Sequence, residues 1–154
     1  MKKLFSLALA LVLAFCLCSC GGSDFTLDAD ALVAELQSAG IFADSSMMAV
    51  QEGFLTAEYK LSTDLITDWQ AYRGTMITGE DIVVIGCASA ADAKVIAEEL
   101  AAYQTRQYEL YSSYSPEGAA RIQAACIEQK GAWAVYVAAD DAAAAQTILD
   151  SYFG

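Results

Sequence analysis

The run Asp81-Ile82-Val83-Val84-Ile85-Gly86-Cys87-Ala88 restricts the fold more than any other stretch of the chain. Successive side chains of an extended strand point to opposite sides, so four consecutive branched aliphatics make both faces apolar. That pattern marks a central strand of a sheet. Ahead of it, Trp69, Ala71 and Arg73 alternate with Gln70 and Tyr72 in residues 68–75, and Gly79-Glu80 in between supports a hairpin. Beyond it, Ser89-Ala90-Ala91-Asp92 has the form of a capping box. It opens a long helical pattern through Ile96, Ala97, Leu100, Tyr103, Gln107, Leu110 or Tyr111, and Tyr114.

Ser115-Pro116 stops that helix and starts another through Ala119, Ala120 and Ile122, since proline suits the first position of a helix. Residues 125–129 and 132–138 flank Lys130-Gly131, and Trp133, Val135 and Val137 alternate with Ala134 and Tyr136, which reads as a second hairpin. A first helix carries the stripe Ala29, Leu32, Val33 and Leu36 and ends at Ala39-Gly40, where glycine supplies a left-handed cap. A last one starts at Asp140-Asp141 and carries Ala145, Ile148, Leu149 and Tyr152 on one face. Residues 41–65 are the least patterned, with a short strand at 47–50 and a turn or helical fragment at 56–59 as the best readings. The expectation is an α+β domain: a mostly antiparallel four-stranded sheet with helices packed on one face, the other face partly open, in the order α-ββ-α-ββ-α. The connection between the two inner strands is also long enough for a parallel crossover.

The chain begins Met1-Lys2-Lys3 and continues with an uncharged Leu- and Ala-rich run to Leu17, the layout of a secretion signal and too short to span a bilayer. Leu17-Cys18-Ser19-Cys20 resembles the lipobox of bacterial lipoproteins, which implies removal of residues 1–19 and a diacylglycerol thioether on Cys20. Two or more acyl chains, palmitate among them, anchor stably where one does not. Residues 20–25 then form the lipidated cysteine and a flexible tether, and residues 26–154 a single domain. The expected location is the outer face of the bacterial plasma membrane.

Loss of Lys2 and Lys3 takes the formal charge from −12 to −14, which argues against nucleic acid and against charge-driven binding to an anionic bilayer. The two cysteines left beside Cys20, Cys87 and Cys126, are candidates for a disulfide outside the cytoplasm, and both also read as small apolar strand residues. The chain has no histidine, which removes the usual neutral-pH base, the commonest transition-metal ligand and every triad of the Ser-His or Cys-His kind. Glu80-Asp81, Glu98-Glu99 and Asp140-Asp141 are the visible carboxylate pairs. Asp28-x-Asp30 lacks the pattern of a dedicated calcium loop, and Gly74, Gly79 and Gly86 lack the spacing of a phosphate cradle, so no metal, cofactor or catalytic residue is assigned.

The signal and lipobox, the Asp-Ile-Val-Val-Ile strand, Tyr111-Ser112-Ser113-Tyr114-Ser115-Pro116-Glu117 and the strand Gly131-Ala132-Trp133-Ala134-Val135-Tyr136-Val137 follow one another in an order that resembles a known family. It is similar to domain of unknown function 4358, found in lipoproteins of Gram-positive, largely anaerobic bacteria, and the likeness covers most of residues 60–138. The resemblance implies no catalytic residue.

These readings point to a lipid-tethered, non-enzymatic binding or accessory module at the cell surface. It would meet a surface protein, a wall component or a small-molecule ligand through aromatic and Arg anchors, with Arg106, Tyr108, Tyr111 and Arg121 as the candidate surface. The competing reading is a small carboxylate-dependent envelope hydrolase. A deep cleft with facing acids would favour the enzyme, and a shallow aromatic patch the binder.

Overall fold

The computed structural model describes residues 25–43 and 47–154; the signal segment, the lipobox and Cys20 lie outside them. Five strands form one sheet: β1 (Met48–Ala49), β2 (Ile66–Arg73), β3 (Asp81–Cys87), β4 (Cys126–Lys130) and β5 (Trp133–Ala138). The spatial order is β1-β2-β3-β5-β4, and every neighbouring pair is antiparallel. The helices are α1 (Ala29–Ser38), α2 (Gly53–Ala57), α3 (Ala90–Tyr111), α4 (Pro116–Gln123) and α5 (Ala142–Phe153).

β3 is buried along its whole length, as its sequence requires, and has β2 on one side and β5 on the other. Its register with β5 sets Ile82 opposite Val137 and Val84 opposite Val135, and these four side chains meet α1 and α5 through Leu32, Leu36 and Leu149. Val83 opposite Tyr136 and Ile85 opposite Ala134 point the other way, onto Ala93, Ile96, Leu100 and Tyr103 of α3. The expectation of helices on a single face is therefore corrected: α1 and α5 cover one side of the sheet and α3 the other. A strand with four consecutive aliphatics exposes apolar surface unless both sides are covered. Fully burying one such side chain is worth about 1.5–3 kcal/mol.

One further expectation changes and one open alternative closes. The sheet has a fifth strand, β1, a two-residue ladder at the edge, set by Met48 opposite Arg73 and Ala49 opposite Tyr72. The two inner strands are antiparallel, because the crossover through α3 and α4 brings the chain back in the direction of β3 as β4 and the β4–β5 hairpin then reverses it.

Local rules account for the element ends. Asp28, Ser89, Ser115 and Asp141 each accept a backbone N–H of the first helical turn with their side chains. Gly40, Gly79 and Gly131 have positive φ, the first just past α1 and the other two in the hairpin turns. No helix among the described residues is long and apolar enough to cross a membrane.

Cys87 and Cys126 are free thiols, which corrects the disulfide expectation. Cys87 belongs to the core under α3, whereas Cys126 belongs to the core on the opposite face. Cys126 is in register with Val137, which faces Ile82, so along β3 it stands five residues from Cys87. That is roughly 17 Å at about 3.4 Å per residue, well beyond the about 7 Å that a disulfide allows between Cα atoms. Burial pushes the Cys87 thiol up to about 11, with Asp92 and Glu99 adding to it, so this sulfur is held in its unreactive form.

Candidate functional site

At one pole of the sheet β2 ends and β3 begins, and the register sets Arg73 directly across from Asp81. The Asp81 carboxylate is buried and receives three donors: Tyr59 Oη at 2.9 Å and Arg73 Nε at 3.1 Å on Oδ1, and Tyr103 Oη at 2.7 Å on Oδ2. Tyr59 arrives from the segment after α2 and Tyr103 from the middle of α3, so one carboxylate ties together the edge segment, the central strand and the long helix. The rings follow the same order. Tyr59 and Tyr103 meet edge to face at 4.7 Å, Tyr103 and Tyr136 at 5.7 Å, and the Arg73 guanidinium lies 5.8 Å from the Tyr59 centroid.

Burial raises the Asp81 carboxyl to about 6 although Arg73, Tyr103 and Tyr59 all pull it down, so desolvation outweighs three charge-assisted contacts. Burial alone would lower the Arg73 guanidinium, but Asp81, Tyr103, Tyr59 and Glu58 together more than reverse this and hold it firmly cationic. Tyr59 and Tyr103 are kept protonated by burial first and by the Asp81 charge second, which keeps both as donors. The Tyr136 hydroxyl is equally buried and has no hydrogen-bond partner among the described residues.

Beside this network opens a cavity of about 570 Å³. One wall is β1 and α2 with Met48, Val50 and Phe54; another is the β2–β3 loop with Gly74, Thr75, Met76 and Glu80; the third is the end of α3 with Leu110, Tyr111 and Tyr114. Glu58, Arg73 and Gln107 supply its polar part, where Gln107 Nε2 donates to Glu58 Oε1 at 3.0 Å and Arg73 Nη1 lies 3.9 Å from the same oxygen. Large apolar side chains remain in water around the rim, with Met76 81% and Met48 66% exposed. Phe54, Leu110 and Tyr114 stand partly exposed beside them, so the rim is largely apolar.

The stretch Tyr114-Ser115-Pro116-Glu117-Gly118 holds the loop wall in place. Ser115 Oγ donates to the Ile77 carbonyl at 2.8 Å while capping α4, and Tyr114 Oη reaches the Met76 carbonyl at 3.3 Å. Gly118 lets the loop lie close, because a Cβ there would stand 2.6 Å from the Tyr111 ring and 2.9 Å from the Ile77 carbonyl oxygen. Tyr114, Ser115 and Gly118 are a clamp on Met76 and Ile77, and the part from Tyr114 to Glu117 was legible in the sequence as a motif.

The structure separates the four residues expected to form one contact surface. Tyr111 lines the cavity and is buried. Arg106 donates to the Tyr59 carbonyl at 3.0 Å, and Arg121 is held by Asp140 at 2.6 Å and by the Thr78 carbonyl at 3.3 Å. Tyr108 is exposed and does not line the cavity. Helical geometry explains the scatter, since Tyr103, Gln107 and Tyr111 share the inward face of α3 and the positions next to them turn away.

The three carboxylate pairs do not face each other across a cleft. Glu80 lines the cavity with Oε1 accepting the Ala43 amide at 2.6 Å, while Asp81 lies behind it, enclosed by its donors. Glu99 binds Ser62 and Glu98 is exposed. Asp140 pairs with Arg121, and Asp141 caps α5. The described residues hold no cluster of side chains fit to bind a metal ion. Sequence reasoning missed Tyr59, Glu58 and Arg73 as site residues; the acid heading an aliphatic strand was the signal that a buried partner for a cation had to exist nearby.

Residues 42–139 match the family model described as Domain of unknown function (DUF4358). The chain belongs to this family. The match runs from just ahead of β1 to just past β5, so the DUF4358 segment contains the whole Asp81 network, the cavity and the clamp, whereas α1 and α5 lie outside it. Neither the curated proteins nor the solved structures include a match to the chain.

Proposed function

We propose that the protein is a membrane-tethered binding module that holds a small ligand with an apolar body at the pole farthest from its anchor. The observation that carries this reading is the placement of the cavity relative to the N-terminal entry. Phe25 packs at the β4–β5 turn, with its ring 5.4 Å from Phe153 and 5.1 Å from Lys130 Nζ. The cavity lies at the other end of the strands, beside Arg73 and Asp81. β3 alone separates the two ends by roughly 20 Å at about 3.4 Å per residue. Cys20 precedes Phe25 by five residues, a reach of at most about 17 Å, so a lipid there keeps the Phe25 pole next to the bilayer and turns the cavity outward. The ligand is then drawn from the wall or the extracellular space, and a cavity of about 570 Å³ suits a small molecule.

The methionines report on this directly. Met48 and Met76 line the cavity, whereas Met47 packs against the core under α1 and α5. In carbon-13 methyl spectra of the full chain in phosphatidylcholine nanodiscs, saturable shifts of Met48 and Met76 but not Met47 are expected with at least one of phenethylammonium, phenethyl alcohol or hydrocinnamate. Shifts that fail to saturate with all three at millimolar concentrations would overturn the reading.

A further inference from the structure

We propose that the cavity selects an organic cation, a ligand with an aliphatic or aromatic body and a single ammonium or amidinium head directed at Glu58; this rests on the binding reading above and adds the charge of the ligand. Several donors around the cavity are already engaged within the protein. Arg73 gives Nε to Asp81 and holds Nη1 3.9 Å from Glu58, Tyr59 and Tyr103 both donate to Asp81, and Gln107 donates to Glu58. Tyr114 reaches the Met76 carbonyl. An anion drawn to Arg73 would meet the Asp81 and Glu58 carboxylates that already flank this guanidinium, and any pull of Arg73 off Asp81 would leave a buried carboxylate without its counter-charge.

A cation meets the opposite situation. Glu58 and Asp81 set two carboxyl groups against one guanidinium, and the next cation along α3, Arg106, is turned to the Tyr59 carbonyl. Of the charged side chains in the lining, Glu58 is the most open to solvent, 38% against 20% for Arg73, while Glu80 is buried and held by the Ala43 amide. The apolar body fits between Met48, Phe54, Met76 and Leu110, and aromatic faces nearby favour positive over negative charge. The acidic chain, at −12, draws cations toward its surface and repels anions before contact.

A free amine and the basic side chain of a peptide offer the same chemistry. The enclosed volume favours the free amine. The test titrates the full chain in nanodiscs with phenethylammonium, phenethyl alcohol, hydrocinnamate and acetyl-Phe-Lys-amide, read at the Met48 and Met76 methyls. Phenethylammonium is expected to bind at least about tenfold more tightly than the alcohol, as one hydrogen bond to a charged group allows, with hydrocinnamate weakest. Glu58→Gln is expected to abolish the preference for the amine over the alcohol. If the variant also weakens the alcohol, the wild-type preference decides, since it must shrink as sodium chloride is raised. A dipeptide that outcompetes the amine still supports the cation and assigns it to a peptide side chain. Equal affinities, tightest binding of hydrocinnamate, a preference that survives Glu58→Gln with the alcohol intact, or a preference that ignores salt would overturn the proposal while leaving a binding cavity. Saturable binding by none of the four would remove both readings.

Discussion

Replacing Asp81 by Asn should damage the protein more in acid than at neutral pH, the reverse of what an ion pair with Arg73 suggests at first sight. Asn keeps the size and one carbonyl acceptor for Tyr59 or Tyr103, but removes the titratable proton. In the wild type the folded carboxyl is raised to about 6 by burial, against an unfolded value near 3.9. The sign follows from proton uptake. Between these values the native state binds a proton that the unfolded state does not, so the contribution of this group to stability is highest below about pH 4 and falls as pH rises through 6. At 1.36 kcal/mol per pH unit the whole span is about 3 kcal/mol. At pH 7.5 the variant loses a contact with Arg73 but is relieved of a buried charge, and a net change within about 2 kcal/mol is expected. At pH 4.5 the wild type has recovered most of that cost, and the variant should fall about 2 kcal/mol further behind. Urea unfolding of both proteins at the two pH values, followed by Trp69 and Trp133 fluorescence, measures the difference directly, because every other group titrates in both. A deficit that grows toward pH 7.5 would refute the reasoning, since it would mean that Arg73 and the two hydroxyls outweigh desolvation.

Tyr136→Phe removes a buried hydroxyl without a hydrogen-bond partner among the described residues, so a gain of about 1 kcal/mol in unfolding free energy is expected; Tyr103→Phe removes a bond to a carboxylate and should cost about 1.5–3 kcal/mol. A loss for Tyr136→Phe comparable to that for Tyr103→Phe in the same urea titration would show that Tyr136 is bonded. Gly118→Ala sets a methyl against the Tyr111 ring and the Ile77 carbonyl and should destabilise by about 1–3 kcal/mol while weakening probe binding at Met76, because the loop wall must move. Cys20→Ser should release the chain from the membrane fraction and block cleavage at that site, as seen by fractionation and mass spectrometry; a processed, membrane-bound product would refute the anchor.

The sequence was most readable where one residue pattern admits a single physical solution. Ser89 and Asp92 announced the start of α3, Ser115-Pro116 the start of α4, and Gly40 the end of α1, because caps are local and need no knowledge of the rest of the chain. The core strand was equally plain, yet its demand for cover on both faces was not carried through to the helices, although the stripes of α1, α3 and α5 supply three apolar surfaces for two sides of one sheet. β1 and α2 were faint because a two-residue ladder and a five-residue helix leave too few positions for a period to show. The site was the least legible. Tyr59, Arg73, Asp81 and Tyr103 are scattered over 45 positions and meet only through the register of β2 with β3 and the turn of α3. Alternation identified Arg73 as a strand residue but could not say which acid it would face.

The walls of the cavity differ in how firmly they are held, and that difference bears on how it can work. The hairpin wall is fixed twice: at its base by Arg73 and Asp81, and at its tip by Ser115, Tyr114 and Arg121, each bonded to a carbonyl of residues 76–78. The α3 wall is anchored by Tyr103 on the same carboxylate and by Arg106 and Gln107, which bond residues 59 and 58. The β1–α2 wall has a ladder of two paired residues and the bond from the Val50 amide to the Ala71 carbonyl, and its apolar side chains Met48 and Phe54 stand in solvent. Elements with few buried contacts open at low free energy, so adjustment to ligands of different shape falls on this wall while Glu58, at the end of α2 and tied to Gln107, keeps its place. On the binding reading proposed above, an acidic floor tied to Gln107 under an adaptable methionine and phenylalanine rim would distinguish ligands by charge more strictly than by outline.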